Sequence, residues 1–305
     1  MKRNKTLLLF GLIAMFAVCI LLQPQTASAD MGPKPSINVT LKNLGDEVCF
    51  GTILSDDKDW GPWRAYDPQE GNKELGYFDR NYYYDDDYVN EEAEMSWQAF
   101  VDYEDEDGYY FLQVWFKPDG ENNKMSWGYW PPYRFKVLLY YPESDSYVTS
   151  GIYERYAFDS YFTVDVNKLD GNGMLTLDKS YDYLSEVVGL LCRIALTILI
   201  ELLIALLFRI RGRRAMVTIL AVNGVTQVGL NVALNLIYYF NGALAYLLAF
   251  FLLEILVVVV EMIAYAFLLR RCGVPIWKSL IYAVLANAVT AVAGFFLAEW
   301  LPGMF

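Results

Sequence analysis

The chain has 305 residues, is 55% hydrophobic, carries a formal net charge of −12 and contains no histidine. Without histidine there is no Ser-His-Asp or Cys-His catalysis, no HExxH zinc site and no phosphohistidine chemistry. The charge is unevenly spread: residues 30–182 hold 31 Asp+Glu against 13 Lys+Arg, whereas residues 183–305 hold 5 against 8. An acidic, water-facing half is joined to an apolar one, which predicts a membrane protein with a soluble domain.

The first element, 1–29, reads as a secretory signal. Lys2, Arg3 and Lys5 precede an apolar run from Leu7 to Leu22; Pro24 ends it, and Ala27-Ser28-Ala29 offers small residues at −3 and −1. Cleavage is expected before Asp30, with an uncleaved anchor as the alternative. A lipoprotein reading through Cys19 fails, because Val18 before it is not small and the apolar run continues past it.

Residues 30–182 then read as an extracytoplasmic, all-β, sandwich-like domain. This stretch holds 18 Tyr and 6 Trp, with short alternating runs at 36–41, 95–103, 109–116, 133–140 and 161–166 separated by Gly, Pro, Asp and Asn. No stretch shows a helical period of any length. Asp170-Gly171-Asn172-Gly173 predicts a hairpin between 162–166 and 174–177. Cys49 sits in a strand-like run and is expected to be a buried, inert thiol. Cys192 and Cys272 fall in a helix and a basic loop, so no disulfide is expected.

Three features of this half are candidates for function. The acidic runs 56–59, 85–87 and 104–107 offer hard oxygen ligands for calcium, against the plainer reading of a solvated surface. The turn at 170–173 is no EF-type loop, since Val166 and Lys168 stand where ligands would. Trp60, Trp63, Trp127 and Trp130 lie in Gly/Pro-rich loops and are candidate ligand-stacking or membrane-interface aromatics. Asn38-Val39-Thr40 is a formal glycosylation sequon.

From residue 183 onward, four apolar stretches are each long enough for a bilayer of about 30 Å: 184–208, 215–240, 243–269 and 277–299. They predict a four-helix transmembrane domain over 183–305. The loops 209–214 and 270–278 are basic, whereas Asn241-Gly242 carries no charge. The positive-inside rule puts both basic loops in the cytoplasm, and 30–182 and the C-terminus outside.

These helices are not plain anchors. Arg193 and Glu201 lie in the first, Glu254 and Glu261 in the third. Asn223, Gln227, Asn231 and Asn235 follow one another at four-residue steps along the second, and Asn287 and Thr290 lie in the fourth. Depth counting puts Arg193 and Glu254 about 15 Å in, and Glu201, Glu261 and Asn223 near a second common level. An Arg193–Glu254 ion pair and a Glu201/Glu261/Asn223 cluster are therefore expected. The two carboxylates of the cluster should not both be ionised without a cation between them. Helix packing, an ion or ligand site, and docking on a second membrane subunit or a second copy are the three open uses of these groups.

The run Ser180-Tyr181-Asp182-Tyr183 with Arg193, Thr197, Glu201 and Phe208, then 222–227 through Asn231 and Asn235 to Glu254 and Glu261, resembles a family of membrane proteins of clostridia-type Gram-positive bacteria. That resemblance implies a signal peptide, an extracytoplasmic β-domain, four C-terminal helices and a bacterial plasma membrane, which devalues the sequon. No established activity comes with it.

An acidic exported face and the absence of GxxxxGK[ST] and GxGxxG argue against nucleic acid and nucleotide partners. The leading reading is a non-enzymatic envelope receptor or accessory subunit of a membrane complex. The alternative is a proton- or cation-coupled transporter using Glu201, Glu254 and Glu261.

Overall fold

The computed structural model describes residues 32–61, 64–66, 91–119 and 122–300. The expected signal peptide, Trp63 and the acidic run 85–87 lie outside them. Among the described residues, the N-terminal half is built on nine strands in two sheets. The first sheet runs β4 (Lys124–Trp127), β1 (Ser36–Lys42), β8 (Asp159–Leu169), β9 (Leu175–Lys179). The second runs β3 (Tyr110–Phe116), β2 (Phe50–Ser55), β5 (Arg134–Tyr141), β6 (Ser146–Thr149), with β7 (Tyr153–Glu154) on the start of β5.

In β1 the alternation is strict. Ile37, Val39 and Leu41 are fully buried while the residues between them are half-buried. They meet Ile53, Phe135, Val137 and Leu139 of the second sheet in one apolar cluster, so the inner faces of the two sheets share a core. Cys49 lies in that cluster at 2% exposure, and burial pushes its thiol up to about 12, as an inert buried thiol requires. The predicted hairpin forms, with β8 antiparallel to β9 across Asp170–Gly173. The rest of the first sheet departs from an all-antiparallel arrangement, because β1 pairs parallel with β8 from Ser36↔Asp159 to Lys42↔Asp165.

One expected strand is a helix. Residues 95–103 fall largely in α1 (Glu91–Asp102), which covers the outer face of the second sheet. Their apolar residues alternate, but Trp97 and Phe100 stand three apart and bury together against Phe50, Leu54, Leu138 and Tyr140. This cover explains why β2 is buried at all six positions: one face meets the first sheet, the other meets α1.

Three helices among the described residues are long and apolar enough to cross a membrane, not four: α2 (Tyr183–Leu207), α3 (Arg213–Leu268) and α4 (Ile276–Trp300). The second and third predicted segments are one helix because only Gly242 between them departs from helical geometry, at φ 79° and ψ −176°. That residue turns the chain. Asn223 and Tyr265, 42 residues apart, are 2.8 Å from each other, whereas a straight helix would separate them by about 60 Å. Asp182 caps α2 by accepting from the Ser185 amide at 3.0 Å, and Gly273 closes the turn after α3 at φ 83°.

The β-domain sits on the helices through two links. Lys179 of β9 is followed by only three residues before α2. The Phe158 amide also donates to the Tyr239 carbonyl at 2.8 Å, and the Phe158 ring lies over Gly242.

Candidate functional site

Two polar assemblies stand out, one at the junction of the two halves and one deep among the helices. The junction holds a half-open cavity of about 500 Å³. Tyr181, Glu186, Arg193, Asn235, Tyr239 and Tyr246 line it, along with Asp159 and Tyr161 from the start of β8. The aromatic wall is continuous: Tyr181 packs edge-on to Tyr239 at 5.1 Å, and Tyr183 and Tyr239 join hydroxyls at 3.1 Å. Tyr181 donates to Glu186 Oε1 at 3.1 Å. Burial, and then the Glu186 charge, raise the Tyr181 phenol, which therefore stays a neutral donor.

Arg193 is the lining residue furthest along α2. Its partner differs from the expectation: Nη2 donates to Asn235 Oδ1 at 3.0 Å, and no ion pair joins Arg193 to Glu254 among the described residues. Counting residues fixes depth but not azimuth, and the azimuth of Arg193 meets the first half of α3. Its Nε is buried without a hydrogen-bond partner. The cavity thus combines a guanidinium with an unused donor, a tyrosine wall and carboxylates at its mouth.

The deep assembly brings together Glu201, Asn223 and Glu261 as expected, all fully buried. The Asn223 amide donates to Glu201 Oε2 and to the Tyr265 hydroxyl. Thr226, one turn on, donates to Glu261 Oε1 at 2.6 Å, and Asn287 of α4 donates to Glu261 Oε2 at 2.7 Å. Tyr282, five residues before Asn287, reaches back to Glu201 at 3.3 and 3.4 Å. The contacts close a ring through α2, both halves of α3, and α4. Its partners are amides and hydroxyls, and among the described residues no Lys or Arg is paired with either carboxylate. Tyr265 and Tyr282 were not singled out by the sequence reading, although their spacing, four after Glu261 and five before Asn287, places them beside those residues.

Between the two assemblies runs the amide stripe of α3. Gln227 and Asn231 are buried, and Asn231 donates to the Gln227 carbonyl at 2.9 Å. Glu254 is half-buried and stands outside the ring.

The tryptophans divide. Trp60 and Trp130 meet edge-on at 5.8 Å, 37% and 45% exposed, with the Lys34 ammonium 5.3 Å from the Trp130 ring. Trp127, expected in a loop, is the last residue of β4 and is 3% exposed, held by pairing with Ile37 of β1. Some acids of the two described runs pair with cations of the chain. Asp56 binds Arg134 at 2.9 Å, and Asp105 and Asp107 bind Lys136 at 2.8 and 2.6 Å. No group of three or more Cys, Asp or Glu side chains converges to hold a metal among the described residues.

Comparison with family models, curated proteins and solved structures found no match to this chain. Its function is therefore argued from its own geometry.

Proposed function

We propose that the chain is a multi-pass plasma-membrane binding protein of receptor or accessory-subunit type, whose β-domain and helices jointly enclose one ligand site. The β-domain is a two-sheet sandwich outside the membrane. The helices make four crossings, since each half of α3 is long enough to span about 30 Å by itself. Seven bases at 209–214, 270, 271 and 278 mark the cytoplasmic end, and the C-terminus lies outside.

The observation that carries this reading is the junction cavity with the unpaired Arg193 Nε at its inner end. An ionised arginine at that depth persists where a polar partner or a ligand answers it. A guanidinium opposite Glu186 and Asp159, under a tyrosine wall, suits a small zwitterion: the anionic group on Arg193, the amine toward the carboxylates and ring faces.

The test is thermal unfolding of the full-length protein in lipid nanodiscs with a panel of amino acids, dipeptides and phosphoethanolamine. At least one is expected to raise the melting temperature of the wild type and to lose that effect in Arg193→Gln. Stabilisation that survives Arg193→Gln would sink the assignment. So would no stabilisation by any zwitterion together with a stoichiometric membrane partner on native purification, which would leave a subunit and not a receptor.

A second reading, a proton- or cation-coupled transporter using Glu201, Glu254 and Glu261, is favoured by one observation: Glu201 and Glu261 are buried without basic partners. Gradient-driven flux in proteoliposomes is its test.

A further inference from the structure

The deep ring has a deficit of one kind only. Three of its buried atoms lack a hydrogen-bond partner: Glu201 Oε1, Asn223 Oδ1 and Asn287 Oδ1. All three are lone-pair oxygens, on residues 0%, 0% and 1% exposed. Most donors of the ring are already committed: the Asn223 amide to Glu201 and Tyr265, Thr226 to Glu261, Tyr282 to Glu201, and the Asn287 amide to Glu261 and the Ala283 carbonyl, while the Tyr265 hydroxyl accepts from Asn223 and keeps its own proton. Two buried carboxylates with no basic partner leave the ring short of positive charge. A buried polar group left in this state is destabilising, and more so when it is charged.

The oxygen set also limits what can fill it. Both Glu261 oxygens accept hydrogen bonds, so a single carboxylate oxygen and two amide carbonyls remain. They are one carboxylate oxygen and two amide dipoles, all hard donors. Calcium asks for six to eight oxygens, and magnesium keeps most of its water. A monovalent ion balances the Glu201 carboxylate, while Glu261 stays held by Thr226 and Asn287. The stripe Asn223, Gln227, Asn231, Asn235 leads from the ring to the junction cavity over twelve residues, about 18 Å, giving a polar path for a partly dehydrated ion through the apolar helices.

The geometry points to a site for one small alkali-metal cation, of sodium size, coordinated by Glu201 Oε1, Asn223 Oδ1 and Asn287 Oδ1. It is independent of the zwitterion site, since none of its three ligands lines the junction cavity.

The experiment uses the full chain in nanodiscs at pH 8, moved from choline chloride into sodium chloride at constant ionic strength. Binding of radioactive sodium and thermal unfolding are both followed. The expected result is saturable binding of one sodium per chain, a melting temperature several degrees higher in sodium, and competition by lithium but not choline. Glu201→Gln keeps the shape and the bond to Asn223, so it should fold and weaken sodium binding at least tenfold. Cys192→Ser, on the lipid-facing side of α2, should bind as the wild type. No saturable binding by folded wild-type protein overturns the proposal. So does equal binding by Glu201→Gln, or stabilisation by acid in place of sodium, which would assign the ring to a proton.

Discussion

Both halves of the molecule bury charge, and they neutralise it in opposite ways. In the β-domain the Lys136 ammonium, 2% exposed, lies 2.8 Å from Asp105, itself 1% exposed, and 2.6 Å from the more open Asp107. Among the helices Glu201 and Glu261 are equally hidden and meet only amides and hydroxyls. A buried charge with its counter-charge built in has no need of anything outside the fold. One without is completed from elsewhere, by an ion, a proton or a ligand. The first arrangement is structural, and the second is the one we propose as a site.

The largest effect that could break this contrast is in the β-domain. Lys136→Met leaves the buried Asp105 charge with only the Asp107 and Tyr109 amides to answer it, and should destabilise the domain by about 3–5 kcal/mol in denaturant unfolding followed by tryptophan fluorescence. Adding Asp105→Asn, which keeps an acceptor for those amides, should recover most of the loss. Burial pushes the Lys136 ammonium down, but the hydrogen bonds and charges of Asp105 and Asp107 outweigh it and hold the group above its ordinary 10.5. Its stabilising share is therefore complete below pH 10.5 and disappears as the pH climbs beyond that, so unfolding midpoints should be insensitive to this pair from pH 7 to 10.

A smaller effect tests the joint between the halves. At φ 79° and ψ −176°, Gly242 occupies a region open essentially to glycine alone, and an added Cβ would lie 2.5 Å from the Phe158 ring. Gly242→Ala should cost about 1–3 kcal/mol in backbone strain, with a further loss from displacing Phe158. Phe158→Ala in the same background should return only the second part. Recovery of the whole would show that the turn itself is not strained.

The smallest expected effect sharpens the comparison most. In sodium-free buffer, Glu201→Gln should change the thermal stability of the helices by about 1 kcal/mol or less, because it strands no counter-charge. A loss as large as that of Lys136→Met would make Glu201 a structural group and erase the distinction.

How much of this could be read along the chain depends on how local each cause is. Long apolar spans and the basic loops between them are local, and the apolar segments from Tyr183 onward were legible, as were β1, β3, β5 and the β8–β9 hairpin. The break at Gly242 was legible as a turn, but not that a single residue would make it. Residues 95–103 carry an apolar pattern compatible with either period. The outer face of β2 and β5 decides for a helix, and that face is made by residues more than 30 positions away. Trp127 was taken for a loop residue because Gly128 and Pro131 surround it, whereas its burial comes from pairing with Ile37, ninety residues earlier. Glu201, Glu261 and Asn223 were placed together from depth alone, since three groups at one level in a small bundle have few places to face. Arg193 shows the limit of that argument. Its partner is Asn235 and not Glu254, because rotation about the helix axis is set by packing that residue counting does not contain.

The two links between the halves have a mechanical consequence. One tether, from β9 through Asp182 into α2, would let the β-domain swivel above the membrane like a float on a line. The second, from Phe158 to the bend at Tyr239 and Gly242, lies far from the first along the chain and removes that freedom. Tyr156, Tyr181 and Tyr183 all close on Tyr239 beside this second link, so the junction is one tyrosine-lined seat. A displacement of the β-domain therefore bears on the neighbouring ends of α2 and of the first half of α3, whose Arg193 and Asn235 both line the cavity.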